Sequence, residues 1–544
     1  MGLLEGLTVL ALAAGPLPAE VRAAKEISAP LLAGHIRFLS SDLLEGRGPA
    51  SPGDALAQQY IAAQMEALGL EPGGADGSWF QTFDLVGVHG YPDTLSVSAG
   101  AAPLVLKHSQ DFMVVAGRAK SAVRMSSAPL VFVGYGIVAP EFQWDDFKGV
   151  DVRGKVLVVL NNDPQDDPAL FAGKTRLWYG RWDYKYHQAA KLGAAGVLIV
   201  HTRESAGYPW QVVQTSWSGE QFSLPGEDEV GLEFRGWLTE DAAKKSLALS
   251  KHSLEALVAA AQKRDFRPVD LSSQLSLEFS SKIRQVKTGN VLGKLAGAHP
   301  KRGEEGVFFT AHHDHLGRKE NAAADAIYNG AQDNASGVAQ MLAVARAFVA
   351  LPKRPERSVW FAAVGAEEQG LLGSAFLANH PPIPVGRIAA VLNIDGANIF
   401  GRTRDLTVIG LGKSSLDAAI QASAKHQQRR VVGDAFPDRG FFYRSDQFSF
   451  AKVGVPGVYF EGGLDYVGRP AAWGRTQREA WEARDYHQPS DELTPSWDFA
   501  GIMEDAQLYF WTGVAIAREP KLPHWRAGDE FEAARLAALR ALQN

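Results

Sequence analysis

The stretch "GVFFTAHHDHLG", residues 306–317, places three histidines and an aspartate directly after a run of apolar residues. The apolar run is typical of a buried β-strand, because branched and aromatic side chains favour strands. Only 14 of the 544 residues are histidines, so neither a solvated loop nor a packed core accounts for such a concentration. The stretch therefore predicts a metal ligand at a strand end, with further ligands elsewhere in the chain.

Length and composition limit the classes of protein to consider. A chain of 544 residues predicts two or three domains, and 46% hydrophobic with 21% charged residues is ordinary for a soluble globular protein. The net charge of −6 and the lack of a long basic stripe argue against a nucleic-acid partner. The chain has no cysteine, which leaves His, Asp and Glu as the strong metal ligands.

The N-terminus resembles a secretory leader. An apolar stretch followed by small residues, "LTVLALAAGPLPAEVRAA" (7–24), predicts a leader over 1–25 and an exported, periplasmic or secreted protein. The preceding residues carry Glu5 and no positive charge, so a misplaced start codon and an ordinary N-terminal helix are the alternatives. No later segment approaches the roughly 20 apolar residues of a membrane span.

The pattern of strands and helices predicts an α/β fold. After residue 288, apolar strands alternate with helices, which favours a mixed, largely parallel central sheet with helices on both faces. Short β-rich runs between 126 and 285 indicate a separate inserted unit. The resulting division assigns 26–125 to the N-terminal part of the main domain, 126–287 to the insert, 288–518 to the catalytic domain and 519–544 to a terminal helix.

Polar residues of ligand type follow several of the predicted strands. Because the carboxyl ends of parallel strands meet at one edge of a sheet, we expect these side chains to lie close together. Each residue alone has an ordinary explanation, such as a helix cap for Asp333. The set as a whole comprises His312, Asp314, Asp333, Glu367, Glu368, Asp395 and His487.

Zinc chemistry explains how such a set is used. A catalytic zinc takes about three protein ligands and leaves one position for water. Five residues fill six ligand positions if Asp333 bridges two ions; the five are His312, Asp333, Glu368, Asp395 and His487. Asp314 is then placed to accept the second ring N–H of His312 and to fix its tautomer. Glu367 stays unligated and is the candidate general base for a water activated by the metal.

These motifs together resemble a known enzyme family. The segments "AHHDHLG", "GAQDNASG", "GAEEQGLLGS", "NIDG" and "YHQPSDE", in this order, are similar to those of the co-catalytic dizinc aminopeptidases. The same family contains glutamate carboxypeptidases, glutaminyl cyclases and the transferrin receptor. The resemblance covers roughly residues 288–515.

The resemblance implies a mixed eight-stranded sheet and a defined distribution of ligands. One zinc would bind His312, Asp333 and Asp395, and the other Asp333, Glu368 and His487. Glu367 falls on the family's general base and Asp314 on its histidine-orienting carboxylate. The insert resembles a protease-associated domain that shapes the substrate cleft, and "HIRFLSSDLLEGRGPASPGD" (35–54) is similar to the opening of exported bacterial members.

One motif departs from the family pattern. In "YRSDQFSFAKVGVPGVYF" (443–460), Gln447 stands where the family has histidine. This position is not one of the five ligands, so the departure bears on substrate contacts. Tyr443 and Arg444 are candidates for binding a substrate carboxylate or the oxyanion, with a purely structural role as the alternative. His313 and His315 are expected to support the site without ligating a metal.

The sequence thus predicts a dizinc aminopeptidase that removes N-terminal residues from peptides. A carboxypeptidase or dipeptidase of the same fold is the alternative within the family. A glutaminyl cyclase would use one zinc, which the complete five-ligand set argues against. A non-catalytic receptor-like relative should have lost ligands or the base, and this chain retains them all.

Overall fold

The computed structural model describes residues 15–100, 102–168, 170–226, 231–319 and 325–543. The chain forms two compact units, of which the first contains 1–83, 287–435 and 444–544 and the second 84–286 and 436–443. Most of the predicted leader, residues 1–14, lies outside the described residues. None of the helices that the structure describes is both long and apolar enough to cross a membrane.

The first unit contains a mixed sheet. Its main strands, numbered along the chain, are β1 (Phe80–His89), β2 (Lys282–Leu295), β3 (Gly306–His312), β4 (Ser358–Val364), β5 (Ile388–Asn393), β6 (Asp405–Ile409), β7 (Arg430–Val432) and β8 (Gly457–Gly462). Their order across the sheet is β1-β2-β4-β3-β5-β8-β6-β7, with the two-residue strand Glu71–Pro72 beside β2.

The centre of this sheet is parallel. β3 pairs in parallel with β4 and β5, and β5 pairs in parallel with β8, whereas β2 with β4 and β6 with β8 are antiparallel. Every residue of β3, β4 and β5 is buried, as expected for strands covered on both faces. The predicted mixed, largely parallel sheet is confirmed.

Helices cover the sheet of the first unit. They are α1 (Pro18–Ala23), α2 (Ala29–Leu39), α3 (Pro52–Ala67), α4 (Ser336–Val349), α5 (Leu372–Asn379), α6 (Asp417–His426), α7 (Gln447–Lys452), α8 (Trp473–Arg484), α9 (Phe499–Arg518) and α10 (Glu532–Ala541). The buried α4 packs against α2 and α9, so the N-terminal segment contributes to the same core as β3.

The second unit is built around its own sheet. In spatial order its strands are Leu104–Lys107, Thr94–Ser98, Val269–Ser280, Ala122–Phe132, Val156–Leu160, Gly196–His201, Phe234–Thr239 and Phe112–Ala116. A short strand pair joins Val138–Ala139 to Trp144–Asp145, and Gln221–Ser223 pairs with residues 86–88. Its helices are Trp182–Lys191, Arg203–Ala206, Trp210–Ser216, Glu240–Ala248 and Leu254–Ala261.

The second unit begins earlier than residue 126, where the sequence analysis placed the start of the insert. The strands Thr94–Ser98 and Phe112–Ala116 pair with Val269–Ser280 and Phe234–Thr239, so they belong to the sheet of this unit, whose compact region starts at residue 84. Their short alternating runs carry no signal that distinguishes one sheet from another. The identity of this unit as a protease-associated domain stays a prediction.

The core beneath the predicted ligand on β3 gives a test of the fold. Phe309 is fully buried and packs against Phe361 and Phe348 at ring-centroid distances of 5.5 and 5.6 Å. We expect Phe309→Ala to lower the free energy of unfolding by about 3–5 kcal/mol, because it leaves a cavity in a close-packed core. Denaturant unfolding measures the change.

The matched control for this substitution is Leu536→Ala on α10, where the side chain is 47% exposed. A surface change of this kind should alter the free energy of unfolding by no more than about 0.5 kcal/mol. Equal effects of the two substitutions would contradict the assignment of β3 to the core.

Candidate functional site

The register of the central strands brings the predicted ligands to one edge of the sheet. His312 is the last residue of β3 and pairs with Val364, the last residue of β4. Thr310 pairs with Asn393, the last residue of β5. Glu367 and Glu368 follow β4 by three and four residues, and Asp395 follows β5 by two. The carboxyl ends of three adjacent parallel strands therefore supply four of the candidate side chains.

Asp333 occupies the centre of the cluster. It lies in the turn Ala331–Ala335 before α4 and has non-helical backbone angles, with φ −114° and ψ 92°. Its Oδ1 lies 3.2 Å from Nε2 of His312, and its Oδ2 lies 3.3 Å from Nε2 of His487. The two oxygens of one carboxylate therefore face two different imidazoles.

The remaining carboxylates complete two sets of donors around Asp333. On one side, Nε2 of His312 lies 3.4 Å from Oδ1 of Asp395 and 4.0 Å from Oε2 of Glu367. On the other side, Nε2 of His487 lies 3.1 Å from Oε2 of Glu368. Among the described residues, two groups have potential ligand atoms within 4.8 Å of one another; they are His312, Asp333 and Glu368, and His312, Glu367 and Asp395. All the predicted ligands are thus brought together.

Asp314 holds the main chain of the loop that follows β4. Its Oδ1 accepts a hydrogen bond from the Glu367 amide at 3.0 Å, and its Oδ2 accepts one from the Glu368 amide at 3.3 Å. The Nδ1 of His312 lies 3.1 Å from the main-chain oxygen of Asp314 and 3.8 Å from its carboxylate. The geometry differs here from the sequence expectation, because the Asp314 carboxylate reaches the glutamate amides and its carbonyl faces the imidazole.

The other two histidines of the cluster bind carboxylates. The Nε2 of His313 lies 2.9 Å from Oδ1 of Asp54, and Nδ1 of His315 lies 2.6 Å from Oε1 of Glu368. Both imidazoles are buried. His313 therefore anchors the loop to α3, while His315 orients one of the predicted ligands.

Two further contacts fix the predicted ligands, and sequence reasoning missed both. Asp491 accepts hydrogen bonds from the amides of Gln332 and Asp333 at 2.9 and 3.0 Å. The Ser445 hydroxyl donates to Oδ2 of Asp395. Both residues stand inside quoted motifs, "YHQPSDE" and "YRSDQ", but a main-chain partner or a hydroxyl donor leaves no pattern in the spacing of ligand-type residues.

Gln447, the departure from the family pattern, lies behind this network. Its Oε1 accepts a hydrogen bond from Nδ2 of Asn393 at 3.1 Å, and the same Nδ2 donates to the hydroxyl of Ser445 at 2.6 Å. Gln447 is thus linked to Asp395 through three successive hydrogen bonds, by way of Asn393 and Ser445, and is itself fully buried.

Arg444 and Tyr443, the predicted substrate contacts, lie in different units. Arg444 donates a hydrogen bond to the Tyr486 hydroxyl at 3.1 Å, and the Tyr486 ring lies 4.0 Å from the ring of His487. Tyr443 is buried in the second unit, where its carbonyl accepts a hydrogen bond from Arg181. Tyr486 is therefore a residue of the site that the sequence analysis did not single out, and a role for Tyr443 stays a prediction.

The electrostatics of the cluster favour a bound cation. Burial raises the pKa of Glu367 well above its usual value, and it raises the pKa of Glu368 to about 8. Burial likewise raises the pKa of Asp491 to about 8. Burial also acts to raise the pKa of Asp333, but hydrogen bonds from His312 and His487 lower it well below its usual value. So many buried carboxylates need positive charge, which a divalent metal ion provides.

The donor set fits zinc in chemical type. Two imidazoles and several carboxylates, with no thiolate available in the chain, form a nitrogen and oxygen environment that zinc accepts. Asp314, Asp491 and Ser445 hydrogen-bond to predicted ligands or to their main chain, as is usual around protein metal sites.

Comparison with known proteins agrees with this reading. Residues 290–511 match the model of Peptidase family M28. The aminopeptidase from Aneurinibacillus sp. strain AM-1 superposes with a TM-score of 0.56 over 92% of this chain and 97% of that one, at 21% identity. The superposition shows that the fold is shared, and the family match with the donor set implies zinc.

Sequence relatives cover a smaller part of the chain. Leupeptin-inactivating enzyme 1 of Streptomyces exfoliatus is 30% identical over 196 residues, which are 35% of this chain and 43% of that protein. Vacuolar membrane protease of Lachancea thermotolerans is 26% identical over 197 residues, which are 35% of this chain and 18% of that protein. The chain thus matches less than half the length of these relatives.

The crowding of buried carboxylates gives a test of metal binding that needs no substrate. We expect zinc to raise the thermal unfolding midpoint of the chain, and a chelator to reverse the shift, because an ion that binds only the folded state stabilises it. The stabilisation should reach about 2.7 kcal/mol when free zinc is 100-fold above its Kd. Scanning calorimetry with and without zinc measures it.

Two substitutions make this test specific to the site. His312→Ala should abolish most of the zinc-dependent shift, since it removes a donor next to Asp333. His524→Ala removes an exposed histidine outside the cluster and should leave the shift unchanged. An equal zinc response in the two variants would show that zinc binds elsewhere.

Proposed function

We propose, from the match of residues 290–511 to the model of Peptidase family M28, that this chain is a dizinc aminopeptidase acting on peptides. The observation that carries the proposal is the position of Asp333, whose two oxygens face His312 and His487. A carboxylate whose two oxygens face different histidines would be able to hold two neighbouring ions, which would together activate water and polarise the substrate. The distances among the donors support one ion beside His312 and Asp395 and another beside Glu368 and His487.

The metal ions supply one part of the chemistry. When bound, two zinc ions would lower the pKa of water towards about 7 and polarise the carbonyl of the scissile amide. The chain supplies the rest of the chemistry with its own side chains, which hold the proton and orient the substrate.

Glu367 is the residue we assign as general base. It follows β4 at the edge where the donors converge, and its amide is held by Asp314. Its carboxylate lies 4.0 Å from His312 but belongs to neither of the two proposed ligand sets. Burial raises its pKa, which suits a group that takes a proton from water and passes it to the departing amine.

We assign to Arg444 and Tyr486, which are joined by a hydrogen bond, the stabilisation of the scissile carbonyl oxygen as negative charge develops on it. Burial raises the pKa of Tyr486 well above its usual value, so the phenol stays protonated and able to donate. Arg444 adds positive charge next to this hydroxyl. Donors fixed in place before the reaction stabilise such charge without reorganising.

The excess of buried carboxylate favours the aminopeptidase over the carboxypeptidase. A free N-terminal amine is cationic, and Glu367, which belongs to neither proposed ligand set, keeps a carboxylate at this edge beside those that are proposed to bind the ions. A carboxypeptidase would need a cation for the terminal carboxylate of its substrate, and Arg444 is the residue that could serve that role.

Export through an N-terminal leader also stays a prediction.

Glu367→Gln separates proton transfer from metal binding. We expect turnover to fall by about 10²-fold or more, because general-base catalysis contributes roughly that much. Metal analysis should still find two zinc ions per chain, since the substituted residue is not a proposed ligand. Turnover on a chromogenic aminoacyl substrate and metal content by mass spectrometry are the two measurements.

The matched control is Glu26→Gln, which removes a glutamate that pairs with Arg346 at the surface. It should leave both turnover and metal content unchanged, because exposed ion pairs contribute little. Unchanged turnover in Glu367→Gln would remove this residue from its assigned role. Zinc contents of zero or one in the wild-type chain would contradict the bridged site.

Paired substrates can test whether the chain removes residues from the N-terminus or from the C-terminus of a peptide. We expect hydrolysis of aminoacyl chromogenic substrates and of peptides with a free amine, and no hydrolysis of the same peptides after N-acetylation. Acetylation removes the cationic amine that the carboxylates are proposed to attract. Cleavage restricted to N-blocked peptides with a free C-terminus would favour the carboxypeptidase.

A further inference from the structure

The N-terminal segment "LLEGRGPASPGD", residues 43–54, packs directly against the loops that carry two predicted ligands. The Gly317 amide donates to the Gly46 carbonyl at 3.0 Å, and the His315 amide donates to the Arg47 carbonyl at 3.3 Å. Gly46 has a φ of 71°, and a Cβ there would lie 2.3 Å from the Gly317 oxygen. The segment is therefore fitted closely to the loop after β3.

Arg47 makes the most extensive contacts of this segment. Its guanidinium is buried and donates to main-chain oxygens on three separate parts of the chain. Nε reaches the His313 oxygen at 2.8 Å, Nη1 reaches the Asn329 oxygen at 2.7 Å, and Nη2 reaches the Gly330 oxygen at 3.0 Å. Nη1 also binds the oxygen of Leu39, at the end of α2. Only the planar fork of arginine can meet such a set of acceptors at once.

Two of the oxygens that accept from Arg47 lie close in sequence to predicted metal ligands. His313 directly follows His312, and Gly330 lies three residues before Asp333. A rigid fork between these two stretches of main chain therefore sets the spacing of His312 and Asp333, whose donor atoms are 3.2 Å apart.

Asp54 holds the same loop from its other side. It accepts hydrogen bonds from the amide of Ala50 and the hydroxyl of Thr288, at 2.8 and 2.7 Å, and contacts Nε2 of His313. The Ala50 contact closes the segment 43–54 on itself. The segment thus contacts the main chain of His313 through Arg47 and its side chain through Asp54.

We propose that Arg47 is a positioning residue of the metal centre, whose fork holds His312 and Asp333 at the spacing that retains the metal ions. This inference rests on the proposed function, since it concerns the same site. Arg47 is not one of the proposed ligands, and it acts through the main chain of the two ligand-bearing loops.

A purely structural role for Arg47 is the alternative, and the chain offers a matched control for it. Arg357 is also fully buried, and it donates to the oxygen of Ile516 at 2.7 Å and to the oxygen of Glu519. These acceptors lie at the end of α9 and carry no predicted ligand. Arg357→Lys therefore disturbs a comparable set of hydrogen bonds at a distance from the site.

The test compares Arg47→Lys with Arg357→Lys in the full zinc-loaded chain. Lysine keeps the charge but loses the fork, so we expect Arg47→Lys to release zinc to a chromogenic chelator about 10–100-fold more readily. The visible spectrum of the cobalt-substituted variant should also change, since ligand geometry sets it. Arg357→Lys should lower the unfolding midpoint while leaving zinc release and the cobalt spectrum as in the wild type.

Two results would overturn the inference. One is wild-type zinc release and a wild-type cobalt spectrum in Arg47→Lys, and the other is an equal loss of zinc in Arg357→Lys. A wild-type chain that holds no zinc would instead refute the proposed function. If the wild-type chain binds two zinc ions and Arg47→Lys changes neither zinc release nor the cobalt spectrum, only the positioning role is refuted.

Hydrogen exchange tests the coupling between segment 43–54 and zinc binding without any substitution. It therefore also tests the positioning role of Arg47 if Arg47→Lys does not fold. If Arg47 links segment 43–54 to the ligands, zinc must stabilise that segment by the same coupling free energy. We expect amides of 43–54 to exchange more slowly in the zinc-loaded wild type than in the chelated chain. Unchanged exchange there, with slower exchange at 312–335, would contradict the proposal.

Discussion

The parallel pairing of β3 with β4 and β5 is the constraint on which the site depends. It places His312, the two glutamates and Asp395 at the same edge of the sheet, although 45 residues lie between β3 and β4 along the chain and 23 between β4 and β5. A shift of one residue in either pairing would turn these side chains to other faces of the sheet. The buried side chains of β3, β4 and β5 fix the register in which these strands pair. Hydrophobic packing therefore determines the geometry of a polar site.

Placing the carboxylates together has an electrostatic cost that the rest of the site must offset. Burial raises the pKa of Glu368 and of Asp491 to about 8, whereas hydrogen bonds from His312 and His487 counter burial at Asp333. Arg47 contributes a buried positive charge nearby, and its pKa, lowered by burial to about 10, leaves it charged at neutral pH. The imidazoles and Arg47 compensate part of this charge, and divalent ions are suited to compensate the remainder.

The site was predictable where a functional side chain directly follows a strand. His312, Glu368 and Asp395 stand within four residues of a strand end, so pattern and order along the chain sufficed to group them. The contacts that steady them were not predictable in the same way. Asp491 accepts from main-chain amides and Arg47 donates to main-chain carbonyls, and such partners leave no mark on residue type or spacing. The start of the second unit at residue 84 was missed for a related reason, because alternation identifies a strand but not the sheet it joins.

The contacts of Arg47 and Asp54 also show how far the centre extends along the chain. The segment that matches the peptidase family begins at residue 290, yet Arg47 binds the carbonyl of His313, 266 residues away in sequence. Asp54 likewise reaches His313 from α3. Because both contacts close on the residue next to His312, the matched segment does not contain everything that positions its own ligands. Residues 43–54 therefore contribute to positioning the site, through hydrogen bonds that a search for ligand motifs does not detect.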